Sequence, residues 1–456
     1  MKYDMEALLQ TNDTLRHSSY KRSSARALAR EIFAADSPES VVATLPAEAL
    51  YCILRTDGIS NSAELIELFS EEQLRSCLDF DLWSDDRLAL TPFFEWLELP
   101  DSTGELSSLE QVLRSLDLRL LAILIARYIS VRIFDEPTES PPEDGFVTPD
   151  KGYTWLRVGI NEELVDEEGE RLTSHQEFLL QRLLALVFDT SAELFYQILA
   201  IPSLATPSQL EEEAFQDREK RMQSLGIPDR EFAALLNTPV SASELAAATP
   251  APAIDHANIE PIAPLLATAP LPVPLVEQLI GTEADTTELD AEVTLLINAA
   301  IVHFSRDWRD LEQVQEIGRF VSGTIRIGVE AISGEGIDPH EGLKIFGCQR
   351  FYAAGLNELF STRQIARRAS RVLGNQADPS SKLSESTALA FISGLEHKPP
   401  RAPTTLLADI ERDMADQSAL TENLFSPPEY RPFQSLSELR RVQQLLKDLE
   451  SGIAPE

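Results

Sequence analysis

The chain has 456 residues, of which 39 are Lys or Arg and 75 are Asp or Glu, a formal charge of −36 at pH 7. So acidic a chain repels a phosphate backbone, which excludes general nucleic-acid binding and leaves only a locally basic patch for that role. With 43 % hydrophobic and 25 % charged residues the composition is globular, and the length suggests about two to three domains of roughly 150 residues each.

The first thirty residues hold no apolar run ahead of a small-residue cleavage site, so no secretory signal is expected and the location reads as cytoplasmic. Residues 1–36 form a basic segment with Arg16, Lys21, Arg22, Arg26 and Arg30. Residues 37–134 read as a domain of short stacked helices. Pro38 and Pro46 suit first helical turns. Asn61-x-x-Glu64, Ser70-x-x-Gln73 and Ser107-x-x-Glu110 have capping-box form, and Thr91-Pro92 marks a further start. Between them lie the stripes Leu50, Ile53, Leu54; Leu65, Ile66, Leu68, Phe69; and Leu74, Cys77, Leu78. Leu116 to Phe134 is the most apolar stretch, but Asp117, Arg119 and Arg127 interrupt it and it falls short of the about 20 residues of a bilayer span. It reads as one buried amphipathic helix.

Residues 135–235 are expected to form a β-hairpin plus helices packing on the first body. Phe146-Val147 and Tyr153 to Val158 flank a Pro-Asp-Lys-Gly turn, and helices resume at the box Ser174-x-x-Glu177. Residues 236–290 carry eight acidic residues, no Lys or Arg, and prolines at 239, 250, 252, 261, 264, 270, 272 and 274. That density blocks helix and central strand, so an Ala/Pro-rich acidic connector is expected, with one short helix near Ser241 to Ala248. Residues 291–375 read as a helical C-terminal domain. Leu311, Val314, Ile317, Val321 and Ile325 share one face, and a second stripe holds Leu343, Phe346, Phe351, Leu356, Leu359 and Phe360. Gly342, Gly347 and Gly355 fall inside that stripe, each costing about 1 kcal/mol in a helix interior, which close helix approach would offset. Residues 376–456 supply C-terminal helices and a tail, the last helix spanning Leu436 to Leu449 behind Ser435-x-x-Glu438. The fold class is therefore all-α: two helical bodies of short helices, one small hairpin and the connector.

The chemistry-bearing residues form no local catalytic motif. Asp79, Asp81, Asp85 and Asp86 cluster, but as an EF-hand loop the group fails, with Ser84 in place of glycine and Leu90 in place of the bidentate Glu. Helix capping and pairing with Arg87 account for it better. His17, His175, His256, His303, His340 and His397 show no HExxH or i, i+4 pairing, so no metal site is read. His303 lies in an apolar helix and reads as a hydrogen-bonded core or boundary residue rather than a ligand, and His175 as a first-turn residue exposed to solvent. No phosphate loop, dinucleotide fingerprint or nucleophile elbow is present, and no cofactor is expected. Cys52, Cys77 and Cys348 are too few and too far apart for a disulfide framework and read as small buried hydrophobes in a reducing compartment.

One basic stripe stands out. Arg363, Arg367 and Arg371 follow i, i+4, i+8 spacing with Arg368 beside them, a helix edge that would suit RNA or an acidic protein segment, or that neutralises the chain's own acids. The charge is unevenly spread: 12 basic against 22 acidic residues over 1–130, 9 against 22 over 131–235, none against 8 over 236–290 and 18 against 23 over 291–456.

Leu45 to Tyr51 followed by LRSCLDFDLWSDDRL (Leu74 to Leu88), and IRIGVEAISG (Ile325 to Gly334) with GLNELFSTRQIARRA (Gly355 to Ala369), resemble an uncharacterised bacterial family carrying a domain of unknown function. The N-terminal helices are also similar to the helical repeats of magnesium transporter E N-domains and of flagellar motor switch proteins, which regulate or bind partners. The reading that follows is a helical interaction or scaffold protein whose partner is another protein. The alternatives are an enzyme with a site between the two bodies and an RNA- or ribosome-associated factor using Arg363 to Arg371. No membrane span is expected.

Overall fold

Helices dominate the described residues, among which three sheets have two antiparallel strands each, so the chain is all-α in class as its sequence predicts. The computed structural model describes residues 29–45, 47–84, 86–99, 108–159, 172–247, 287–307, 310–336, 338–373, 382–403 and 430–450. Contacts divide them into a first unit ending at Met222 and a second beginning at Gln223.

The first unit starts with α1 Pro38–Thr44, α2 Ala47–Asp57, α3 Ala63–Ile66 and α4 Glu71–Asp81. Pro38 occupies the first turn of α1, where its missing N–H costs nothing. Ser70 and Gln73 close the expected capping box on α4. The Gln73 amide also donates to the Val42 and Leu45 carbonyls, so the start of α4 is tied to the end of α1. The Asn61 box does not form: Ile59–Asn61 is a single 3₁₀ turn, and the Asn61 amide donates back to the Asp57 carbonyl. The apolar stripes are placed as expected, with Leu50, Ile53, Leu54, Leu65, Ile66, Leu74, Cys77 and Leu78 buried.

After the ribbon β1 Trp83–Ser84 and β2 Arg87–Leu88 come α5 Leu90–Leu97, α6 Ser108–Ser115 and α7 Leu118–Tyr128. Ser107, the expected cap of α6, lies outside the described residues. The helix expected to run on to Phe134 stops at Tyr128, and Ile129–Ile133 is strand β3. From Ile129 the apolar residues Ile129, Val131 and Ile133 alternate with polar ones and are β-branched, a pattern that favours a pleated strand. Strand β4 Thr154–Val158 pairs with β3, while the expected partner Val147 contributes only an isolated bridge to Leu156. Then follow α8 Ser174–Thr190, α9 Ala192–Ala200 and α10 Pro207–Ser224. The box opening α8 is Thr173 with Gln176, one residue ahead of the expected pair, because Thr173 keeps extended dihedrals while Ser174 is already helical.

The second unit holds α11 Arg230–Leu236, α12 Ala242–Ala247, α13 Thr287–His303, α14 Leu311–Gly334, α15 Pro339–Leu373, α16 Lys382–Glu396 and α17 Leu436–Glu450, with β5 Ala402–Pro403 against β6 Tyr430–Arg431. Helix α12 is the short helix expected within the connector; residues 248–286 lie outside the described residues. Helices α14 and α15 meet at glycine: a Cβ on Gly328 would lie 2.6 Å from the Phe351 carbonyl carbon and 2.9 Å from the Gly355 nitrogen. The close approach expected at Gly355 is thus present. Gly347 behaves differently. With φ 66° and ψ 177° it breaks α15, a conformation open only to glycine. The Cys348 and Gln349 amides beyond the break donate, each at 2.9 Å, to the buried carboxylate of Glu292 on α13.

Candidate functional site

Asp79 and Asp81 stand two residues apart on α4 and so point to different sides of the helix. Asp81 is fully buried and accepts from the Tyr51 hydroxyl at 2.9 Å and the Trp96 indole N–H at 2.8 Å, with the Arg55 guanidinium at 3.5 Å. Asp79 accepts two hydrogen bonds from Arg221 on α10, at 2.6 and 2.8 Å, and its backbone carbonyl accepts from Arg218. Burial pushes the Asp79 carboxyl up, and the Arg221 guanidinium opposes the shift. Burial likewise lowers Arg218 to about 10, where its guanidinium lies over the Trp83 and Phe215 rings. The expectation that helix capping and Arg87 account for this cluster is therefore corrected. The partners of Asp79 and Asp81 are Arg221, 142 residues away from Asp79, and Tyr51, Trp96 and Arg55. Asp85 lies outside the described residues.

Beside this pair is a narrow cleft lined by Arg75, Asp79, Ser115, Asp117 and Arg221 over Leu78, Leu82 and Leu120. Each of its carboxylates is already bonded: Asp79 to Arg221, and Asp117 to the Arg119 side chain and amide. Asp79 thus ties α4 to α10, and Arg119, which also pairs with Asp217 at 2.8 Å, ties α7 to α10, so these carboxylates are engaged in holding helices together. Among the described residues no group of three or more His, Cys, Asp and Glu converges as a metal site.

The sheet of the first unit offers a different kind of site. Its register pairs Ile129 with Val158, Val131 with Leu156 and Ile133 with Thr154. The Gly159 amide donates to the Tyr128 carbonyl and the Phe134 amide to the Tyr153 carbonyl, so the even-numbered residues of β3 bond to β4. The Leu156 amide and carbonyl turn the other way, to Val147. By the same alternation the amides and carbonyls of Val131 and Ile133 point away from β4, to the outer edge of β3. Among the described residues no strand pairs with that edge and no hydrogen bond reaches either amide; the Val131 carbonyl accepts one weak bond from Arg132 at 3.4 Å. On one face the row Val147, Leu156, Val131 continues to Ile133, with Ile133 67 % and Val147 50 % exposed. Asp135 and Glu136 follow at once and are exposed.

The basic stripe lies at the end of α15. Arg367 and Arg368 are exposed but pair with Glu396 at 3.3 Å and Glu450 at 3.4 Å. Arg371 is exposed, and Arg363 is half-buried. His175 is exposed beside Glu98, and His303 is half-buried against the Phe304 ring, its pKa lowered by burial and by Lys398. The three cysteines are buried thiols. Sequence reasoning missed Arg218, Arg221 and Glu292, whose roles depend on distant partners. It also missed the β3 edge, for which the alternating Ile129, Val131 and Ile133 were the available signal.

No helix among the described residues is long and apolar enough to cross a membrane. No curated protein and no solved structure matches the chain. A family model does match, over residues 10–452, which takes in both units and their elements. The chain therefore belongs to DUF6178, a family of unknown function.

Proposed function

We propose that the chain is a cytoplasmic interaction protein that binds a partner protein along the outer edge of β3. The observation that carries this reading is the pair of outward-facing backbone units at Val131 and Ile133 beside the exposed Ile133 side chain. An open edge of this kind is a template for an added strand, in which backbone hydrogen bonds supply affinity and alternate side chains supply selectivity. The test is a photo-crosslinking amino acid placed at Ile133 in the native cell, with exposed Glu64 as the control position. A distinct protein is expected to be captured at Ile133 and not at Glu64. Identical products from both positions, or none, would contradict the reading.

The second reading is an anionic partner, RNA or an acidic segment, docking on Arg363, Arg367, Arg368 and Arg371. The exposed guanidinium of Arg371 favours it. Binding would then weaken steeply with salt and be lost on Arg371→Glu. Two of the four cations already face carboxylates of this chain, so the first reading is preferred.

A further inference from the structure

Resting on the β3 reading, we infer that the strand added to this edge is a basic peptide of another protein, extended, with β-branched residues at every second position and its cationic residues at the end that meets Asp135 and Glu136. The backbone sets the first part. Val131 and Ile133 offer outward amides and carbonyls, and both side chains lie on the face shared with Leu156 and Val147. An added strand therefore places every second side chain beside this apolar row and the intervening ones on the opposite face.

Charge sets the second part. Residues 131–159 contain six acidic residues, Asp135, Glu136, Glu139, Glu143, Asp144 and Asp150, against Arg132, Lys151 and Arg157. Arg157 is engaged by Glu143 and lies over the Phe146 ring. Asp150 accepts from Thr148, Thr154 and Tyr196. Asp135, Glu136, Glu139 and Asp144 are exposed with no ion pair among the described residues. Glu136 is three residues beyond Ile133, at most about 10 Å along an extended chain, which is within the screening length at 0.1 M salt. A cationic residue at that end of the incoming strand meets a negative field, and an acidic one is repelled. Antiparallel pairing of β3 with β3 of a second copy, centred on Arg132, would set that exposed cation against its own copy.

The experiment selects peptides from a displayed library of random decapeptides on the full-length protein at 50 mM salt, with counter-selection on Ile133→Pro. Proline at this position removes an outward N–H and leaves the inward bonds of β3 intact. Selected peptides are expected to carry β-branched residues at every second position and Lys or Arg towards one end. A synthetic copy should bind roughly tenfold more weakly to Ile133→Pro. It should also bind roughly tenfold more weakly at 300 mM salt than at 50 mM. The doubly charge-reversed Asp135→Lys, Glu136→Lys protein, altered only at exposed positions, should lose the basic preference. Peptides that need the edge but show no basic excess would overturn the charge inference and leave strand addition standing. A selection that never distinguishes Ile133→Pro would overturn strand addition itself. A concentration-dependent dimer abolished by Ile133→Pro would assign the edge to a second copy and overturn the inference.

Discussion

Alanine at Gly328 tests the glycine contact of α14 and α15 with a sign that depends on the structure. On an unhindered helix the change from Gly to Ala stabilises by about 1 kcal/mol, because glycine loses more backbone freedom on folding. At Gly328 the new Cβ would lie 2.6 Å from the Phe351 carbonyl carbon and 2.9 Å from the Gly355 nitrogen, both backbone atoms that no rotamer change can move. Ordinary carbon contacts stand at about 3.5 Å and the Phe351 carbonyl oxygen lies nearer still than its carbon, so the helices must part by more than about 1 Å. Overpacking of this kind costs about 3 kcal/mol at the upper end of the usual range, and net destabilisation of about 2 kcal/mol is expected. Gly334 at the end of the same helix is the control, since a Cβ there would meet nothing within 4 Å. Gly334→Ala should be neutral or stabilise by up to about 1 kcal/mol. Urea unfolding followed by far-UV circular dichroism compares the two. A Gly328→Ala midpoint at or above that of the unaltered protein would refute the packing argument.

Three further outcomes are expected. Asp81→Ala removes the acceptor of the Tyr51 hydroxyl and the Trp96 N–H and leaves Arg55 with Glu95 alone among the described residues, and should cost about 3 kcal/mol in urea unfolding followed by tryptophan fluorescence, whereas Asp81→Asn, which still accepts from Trp96 and donates to the Tyr51 oxygen, should cost less than half as much. Glu292→Ala should cost about 1 to 2 kcal/mol and speed hydrogen exchange at the Cys348 and Gln349 amides, with unchanged exchange there counting against the cap. The third concerns acid. Burial alone would raise the Asp150 carboxyl, but the Thr154 amide with the Tyr196 and Thr148 hydroxyls outweighs it and lowers the pKa, and Lys220 with Arg119 lowers Asp217 to about 2. A folded value below the unfolded one means the stabilisation is complete above the ordinary carboxylate range and is lost as pH falls through it, so unfolding curves should shift to lower urea between about pH 4 and about pH 2. Asp150→Asn should reduce that shift, and an unaltered acid profile would show that Asp150 does not contribute.

What could be read in the sequence was what depends on near neighbours. The Ser70 and Gln73 box, the stripes of α2 and α4 and the last helix all follow from spacing within one or two turns, and the structure contains them. The β3 strand was hidden because Ile129 to Ile133 continues the apolar run of α7 without a breaking Gly or Pro, leaving only a change of period over five residues. Gly347 and Gly355 look alike in sequence, yet one breaks a helix and the other admits a neighbour. The difference lies in Glu292 and Thr324, which no local window contains. For the same reason the partners of Asp79 and Asp81 were unreadable. A carboxylate advertises its need for donors but not which distant Arg, Tyr or Trp will answer it.

The Glu292 carboxylate has a consequence for the order in which the second unit assembles. The part of α15 that follows Gly347 lacks a side-chain cap of its own at its first amides and takes one from α13, 56 residues earlier in the chain. Nucleating a helix is the unfavourable step, and here the groups that would ease it arrive only when α13 has docked. The later segment of α15 is thus a conditional helix: its first turn is completed by a tertiary contact, and its formation and the seating of α13 become a single cooperative event.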